Sequence, residues 1–69
     1  MSEPIQILLN GKPHNTNAQT IAALVSELGI RAKTIAIAQN TQVVKQGCWE
    51  SAKIAQNDEI EILQFVGGG

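Results

Sequence analysis

Ile21, Leu24, Val25 and Leu28 stand at i, i+3, i+4 and i+7, a spacing that lays one apolar stripe along a helix. Both ends of the stripe are punctuated. Thr20 offers a hydroxyl for the N-cap. Gly29 suits the left-handed residue that closes a helix, with Ile30 placed to fold back on Val25. One amphipathic helix cannot bury its stripe alone, so the rest of the chain must supply the facing layer. With 69 residues there is room for a single such pairing, because a chain of this size buries only about 60% of the surface its unfolded form exposes. Aromatic residues are 3% of the chain, Trp49 and Phe65, so the core between the layers is aliphatic.

The remaining apolar residues alternate, which is the period of strands. In residues 5–9, Ile5, Ile7 and Leu9 share one face. Asn10-Gly11 follows, and Asn-Gly marks a tight hairpin because a type I′ turn needs positive φ at both central residues. The return strand, residues 12–16, is polar and reads as an edge. Residues 34–39 place Ile35 and Ile37 inward, residues 40–42 turn, and Val43-Val44 begins another short strand. Residues 46–56 are irregular, pinned by Trp49 and Ile54. Asn57-Asp58 turns into a last strand over 59–66.

The order is β-β-α-β-β-β, and a right-handed crossover sets the last strand beside the first and parallel to it. A helix on one face of one mixed sheet is an α+β two-layer domain, the β-grasp arrangement. It spans residues 1–66, with residues 67–69 as a glycine tail.

Composition excludes several functions. Lys plus Arg is 5 and Asp plus Glu is 6, a net charge of −1, which argues against nucleic acid as a partner. A lone cysteine, Cys48, cannot close an internal disulfide, so a reducing, cytoplasmic setting is expected. One histidine, His14, is too few for a metal centre of the usual donors. Residues 1–4 lack the basic and apolar pattern of a signal peptide, and no apolar run nears the roughly 20 residues of a membrane span. Cys48 has no evident base or helix N-terminus to form its thiolate and reads as an ordinary half-buried thiol. Trp49 reads as a core plug, His14 as exposed, and Asn15, Thr16 and Asn17 as loop residues.

Gly67, Gly68 and Gly69 follow directly on a strand. Glycine can thread a narrow channel and leaves the acyl carbon of a terminal carboxylate unhindered. Three extended residues reach about 10 Å. On a domain of this form, the Gly69 carboxylate is the expected reactive group.

Taken in order, Asn10-Gly11, the helix from Thr20-Ile21 to Leu28-Gly29, the strand ending at Asn40, Val43-Val44, Trp49, residues 58–62 and Val66-Gly67-Gly68-Gly69 are similar to one family. The chain resembles the ThiS family of sulfur carriers of thiamine biosynthesis, within the ubiquitin-like β-grasp superfamily, over essentially its whole length. It departs at Ala23, where the family often carries the Glu of a capping box, at Asn57 in place of Gly, and at Gln39 in place of an apolar residue.

The resemblance implies a protein cosubstrate rather than an enzyme, with no bound cofactor. A ubiquitin-activating-like adenylyltransferase (ThiF-type) would consume ATP to adenylate Gly69. A sulfur donor such as a cysteine desulfurase would supply a persulfide, and the resulting thiocarboxylate would pass its sulfur to a thiazole synthase (ThiG-type). The small sulfur-carrying subunit of molybdopterin synthase, a protein modifier joined through Gly69 to lysines, and a plain β-grasp interaction module are the other readings.

Strand phase adds a surface. With Ile60 and Ile62 toward the helix, Glu61, Leu63 and Phe65 face the other way, together with Leu8, Ala36 and Ala38. An apolar patch beside a reactive tail is a docking candidate. The expected partner-binding residues are Leu8, Glu61, Leu63, Phe65 and Val66, with Glu59 and Glu61 available to basic groups on a partner.

Overall fold

The structure, a computed structural model, describes residues 3–64. Phe65, Val66, Gly67, Gly68 and Gly69 lie outside the described residues, as does the boundary expected between domain and tail. The strands are β1 (Ile5–Leu9), β2 (Lys12–Thr16), β3 (Ile35–Gln39), β4 (Gln42–Val43) and β5 (Glu59–Gln64), with one helix, α1 (Ile21–Leu28). They form one mixed sheet in the order β2-β1-β5-β3-β4. β5 is central and runs parallel to β1, as the crossover rule requires, and antiparallel to β3. The β-grasp architecture is therefore the observed one.

The hairpin forms as its sequence dictates. Asn10 and Gly11 both take positive φ, 52° and 83°. The two-residue turn sets Leu9 opposite Lys12 and Ile5 opposite Thr16. β2 lies at the sheet edge, where Pro13, which has no N–H to donate, is tolerated. The second hairpin is tighter than expected. Its loop is Asn40-Thr41 alone, because Gln39 pairs with Gln42 and Ala38 with Val43. Val44 falls outside β4 but still donates its N–H to Ile37 at 2.9 Å. Thr34 belongs to a short 3-10 turn, Ala32–Thr34, rather than to β3, its hydroxyl donating to the Arg31 carbonyl.

α1 is closed at both ends. The Thr20 hydroxyl accepts from the Ala23 N–H, and Gly29 sits at φ 70° with its N–H directed at the Val25 and Ser26 carbonyls. The remaining N-terminal donors are satisfied by the irregular segment: Ile21 N–H by the Ala52 carbonyl and Ala22 N–H by that of Trp49. The segment also plugs the core. Trp49 is 5% exposed and its indole donates to the Val44 carbonyl at 2.8 Å. Ile7, Ile21, Leu24, Ile37 and Ile60 make the fully buried centre between helix and sheet.

Four residues differ from expectation, Asn15 among them, which lies in β2 and not in a loop. Thr16 is a strand residue, 2% exposed, not a loop residue. Its hydroxyl accepts from Ala18 N–H and donates to Glu27 on α1 at 2.6 Å, so the edge strand is bonded to the helix. His14, on the same face as Thr16, is half-buried rather than exposed, with Nε2 3.7 Å from the Glu27 carboxylate. Cys48 is exposed rather than half-buried, because the 3-10 turn Gln46–Cys48 turns its side chain away from the core that Trp49 enters. No described helix is long and apolar enough to cross a membrane.

Candidate functional site: the open sheet face and the root of β5

The helix covers one face of the sheet and leaves the other to solvent. Alternation along β5 buries Ile60 and half-buries Ile62, while Glu59, Glu61 and Leu63 point outward. Register then decides their neighbours. Leu8 stands beside Glu59, Ala36 beside Leu63, and Ala38 between Glu61 and Val43. The expected residues Leu8, Glu61 and Leu63 are thus brought to one face, whereas Phe65 and Val66 lie outside the described residues.

Leu63 is 67% exposed and Leu8 37%. Val43, at 76%, joins them and had not been assigned a face. The signal was present: a two-residue loop puts Val43 level with Ala38, whereas a loop counted through Gln42 hides the phase. Ala36, Ala38, Val43, Glu61 and Leu63 line a shallow groove of about 120 Å³. Pockets for organic ligands run to about 300–1,000 Å³, so the groove is small for such a ligand. Its floor is apolar and Glu61 brings a carboxylate to it, while Glu59 lies outside the groove, beside Leu8.

The strand that leads toward Gly69 is fixed at its base by a polar hub. Asp58 accepts from Ala55 N–H and from Gln39 Nε2, each at 2.9 Å, and from Asn40 Nδ2 at 3.1 Å. Gln39 Nε2 also donates to the Lys53 carbonyl at 2.8 Å. The glutamine side chain is therefore satisfied on the inner face. Burial alone would raise the Asp58 pKa, but the hydrogen bonds from Ala55, Asn40 and Gln39 outweigh it and hold the carboxyl below its ordinary value. Asn57 takes φ 71°, the left-handed conformation that glycine would otherwise supply before this strand.

Two further amides reach β5, and the turn motifs alone gave no hint of them. Asn40 Oδ1 accepts from Glu59 N–H at 2.9 Å, and Asn10 Oδ1 from Ile62 N–H at 2.7 Å. Among the described residues, no three His, Cys, Asp or Glu side chains cluster closely enough to hold a metal ion.

Comparison with known proteins places this geometry. The ThiS family model matches residues 7–69, which takes in the outer-face residues, β5 and the three glycines. Thiazole synthase of Magnetococcus marinus is 36% identical over 66 residues, covering 94% of this chain and 20% of that protein. The chain thus spans about one fifth of that relative's length. An uncharacterized ycf40 protein of Porphyra purpurea is 30% identical over 70 residues, 100% of this chain and 99% of its own. The crystal structure of a thiamine biosynthesis protein, ThiS, from Geobacter metallireducens superposes with a TM-score of 0.81 at 25% identity, covering 94% of this chain and all of that one. A ubiquitin-like β-grasp fold, an open apolar face and a family match that runs through Gly69 agree, and the chain belongs to the ThiS family.

Proposed function

We propose that the chain is a sulfur carrier of thiamine biosynthesis, acted on by partner enzymes and itself no catalyst. The observation that carries this reading is the family match through residues 67–69. Gly69 carries the acyl group. A ThiF-type adenylyltransferase joins its carboxylate to the AMP of ATP with loss of pyrophosphate, turning a poor electrophile into a good one. A persulfide sulfur, from a donor such as a cysteine desulfurase, displaces AMP to give an acyl disulfide. A thiol then reduces the S–S bond and leaves the thiocarboxylate. No step requires a base, nucleophile or metal from this domain.

The domain's own part is recognition. Leu8, Glu61 and Leu63 dock the adenylating partner, with Phe65 and Val66 continuing the contact toward Gly67, Gly68 and Gly69. The likeness to part of the Magnetococcus marinus thiazole synthase supports thiazole synthase as the sulfur acceptor.

The test is intact mass after incubation with ATP, a ThiF-type enzyme and a persulfide donor with a thiol reductant. Exchange of one oxygen for sulfur at Gly69 is expected, and removal of Gly68 and Gly69 abolishes it in a folded domain. Covalent ladders on other proteins instead of a mass change would sink the carrier reading. Leu63→Ser leaves the fold intact, since Leu63 is largely exposed, and slows adenylation. Unchanged adenylation kinetics would remove the outer face from the docking surface.

A further inference from the structure

The parallel pairing of β1 with β5 is short. Only Leu8 with Glu59 and Leu9 with Ile60 are in register, because β1 ends in the Asn10-Gly11 turn while β5 runs on to Gln64. Leu8 N–H donates to the Asp58 carbonyl and Asn10 N–H to the Ile60 carbonyl, each at 2.9 Å. The next rung of a parallel ladder would join Ile62 N–H to the main-chain carbonyl of residue 10. At φ 52° the backbone of Asn10 has left the strand. Its side-chain carbonyl takes the place instead and accepts from Ile62 N–H at 2.7 Å. Beyond that point the described ladder holds β5 from one side alone, through Leu63 on Ala36 and Gln64 on Ile35.

We propose that Asn10 is a positioning residue for the reactive tail: its amide carbonyl extends the β1–β5 ladder past the hairpin and fixes the direction in which β5 delivers residues 65–69 to a partner. This rests on the carrier reading above. Asparagine suits both duties at position 10. It tolerates left-handed φ, as glycine does, and it brings the acceptor that glycine lacks. Without the amide, Leu8, Glu61 and Leu63 keep their ladder partners Glu59, Ala38 and Ala36. Loss of the bond therefore leaves docking intact and lowers the fraction of docked complexes whose tail is aligned.

Asn10→Gly keeps a turn with positive φ and deletes the acceptor. Asn10→Asp keeps both. Hydrogen exchange of the Ile62 amide in Asn10→Gly is expected to rise at least about tenfold, against an unchanged Leu8 amide, whose bond to Asp58 is untouched. With a ThiF-type enzyme, ATP and a sulfur donor, kcat for acylation of Asn10→Gly falls about fivefold with KM unchanged, and Asn10→Asp restores both exchange and kcat. Unchanged Ile62 exchange in Asn10→Gly overturns the geometry. Faster exchange with unchanged kcat, or a rise in KM at constant kcat, overturns the positioning role. A wild-type chain that is never acylated refutes the carrier reading instead, and the exchange data still decide the geometry.

Discussion

Asp58→Asn probes the hub at the base of β5. Asparagine keeps one of the two acceptor oxygens of Asp58 and turns the other into a donor. If its carbonyl stays on Ala55 N–H and Gln39 Nε2, its new NH₂ faces the NH₂ of Asn40. Asn40 cannot flip to relieve this, because its own Oδ1 is held by Glu59 N–H. One charge-assisted hydrogen bond is lost and two are weakened to neutral ones. Bonds to charged groups contribute about 1.5–3 kcal/mol each when sheltered. Asp58 is only half-buried, so water replaces part of the loss, and a cost of about 1–2 kcal/mol follows. In a domain of this length that lowers Tm by roughly 5–15 °C.

The same contact sets a pH dependence. The Asp58 carboxyl is held below its ordinary value of 3.8, so it binds its proton more weakly folded than unfolded. Its stabilisation is therefore complete above the unfolded value and is lost as pH falls through the lower folded value. Urea unfolding of wild type and Asp58→Asn is expected to show a constant gap from about pH 7 to about pH 5, closing below about pH 4. A gap that persists unchanged at about pH 2, or a variant as stable as wild type at neutral pH, refutes the hub.

Thr41→Gly is expected to stabilise the fold by about 0.5–1 kcal/mol in urea titrations. At φ 72° a β-branched residue bears about 1–2 kcal/mol that glycine escapes, less glycine's greater unfolded-state entropy; a fall in the midpoint counts against strain at this turn. Gly29→Ala should cost about 1 kcal/mol, entirely from φ 70°, because beyond its chain neighbours no atom lies within 4 Å of the added Cβ. A neutral result would show that the helix end relaxes. Trp49→Phe keeps most of the apolar plug and strands the Val44 carbonyl, for a loss of about 1–2 kcal/mol by the same measurement. Equal stability would mean that water already serves that carbonyl.

What the sequence revealed and what it hid follow from how far each signal reaches. The α1 stripe, the Asn10-Gly11 turn and the inward phases of β1, β3 and β5 are local patterns, and the structure reproduces them. The crossover rule extended them to the one long-range fact that matters most, the parallel pairing of β5 with β1. Local reading failed where a polar side chain serves a distant backbone. Asn10 and Asn40 announce turns, and nothing near them in sequence reveals that their amides bond strand residues 52 and 19 positions away. Thr16 looked like a loop residue because its partner, Glu27, stands 11 positions away on α1. Gln39 looked like a departure from pattern until Asp58 and Lys53 were found to satisfy it.

These hidden contacts have a common destination. Asp58 precedes β5, Asn40 bonds its first residue, and Asn10 bonds its fourth. The inner face meanwhile carries the whole described core, while Leu8, Val43 and Leu63 contribute little to it. The domain therefore separates two demands that usually compete. Stability resides in the helix-facing layer and in the hub, so residues on the open face can change at little cost to the fold. β5 is central in the sheet, paired on both sides over its first two residues and bonded by amides from both flanking turns up to Ile62. Rigidity there matters under the proposed carrier role, because glycine offers no side chain with which to specify a direction.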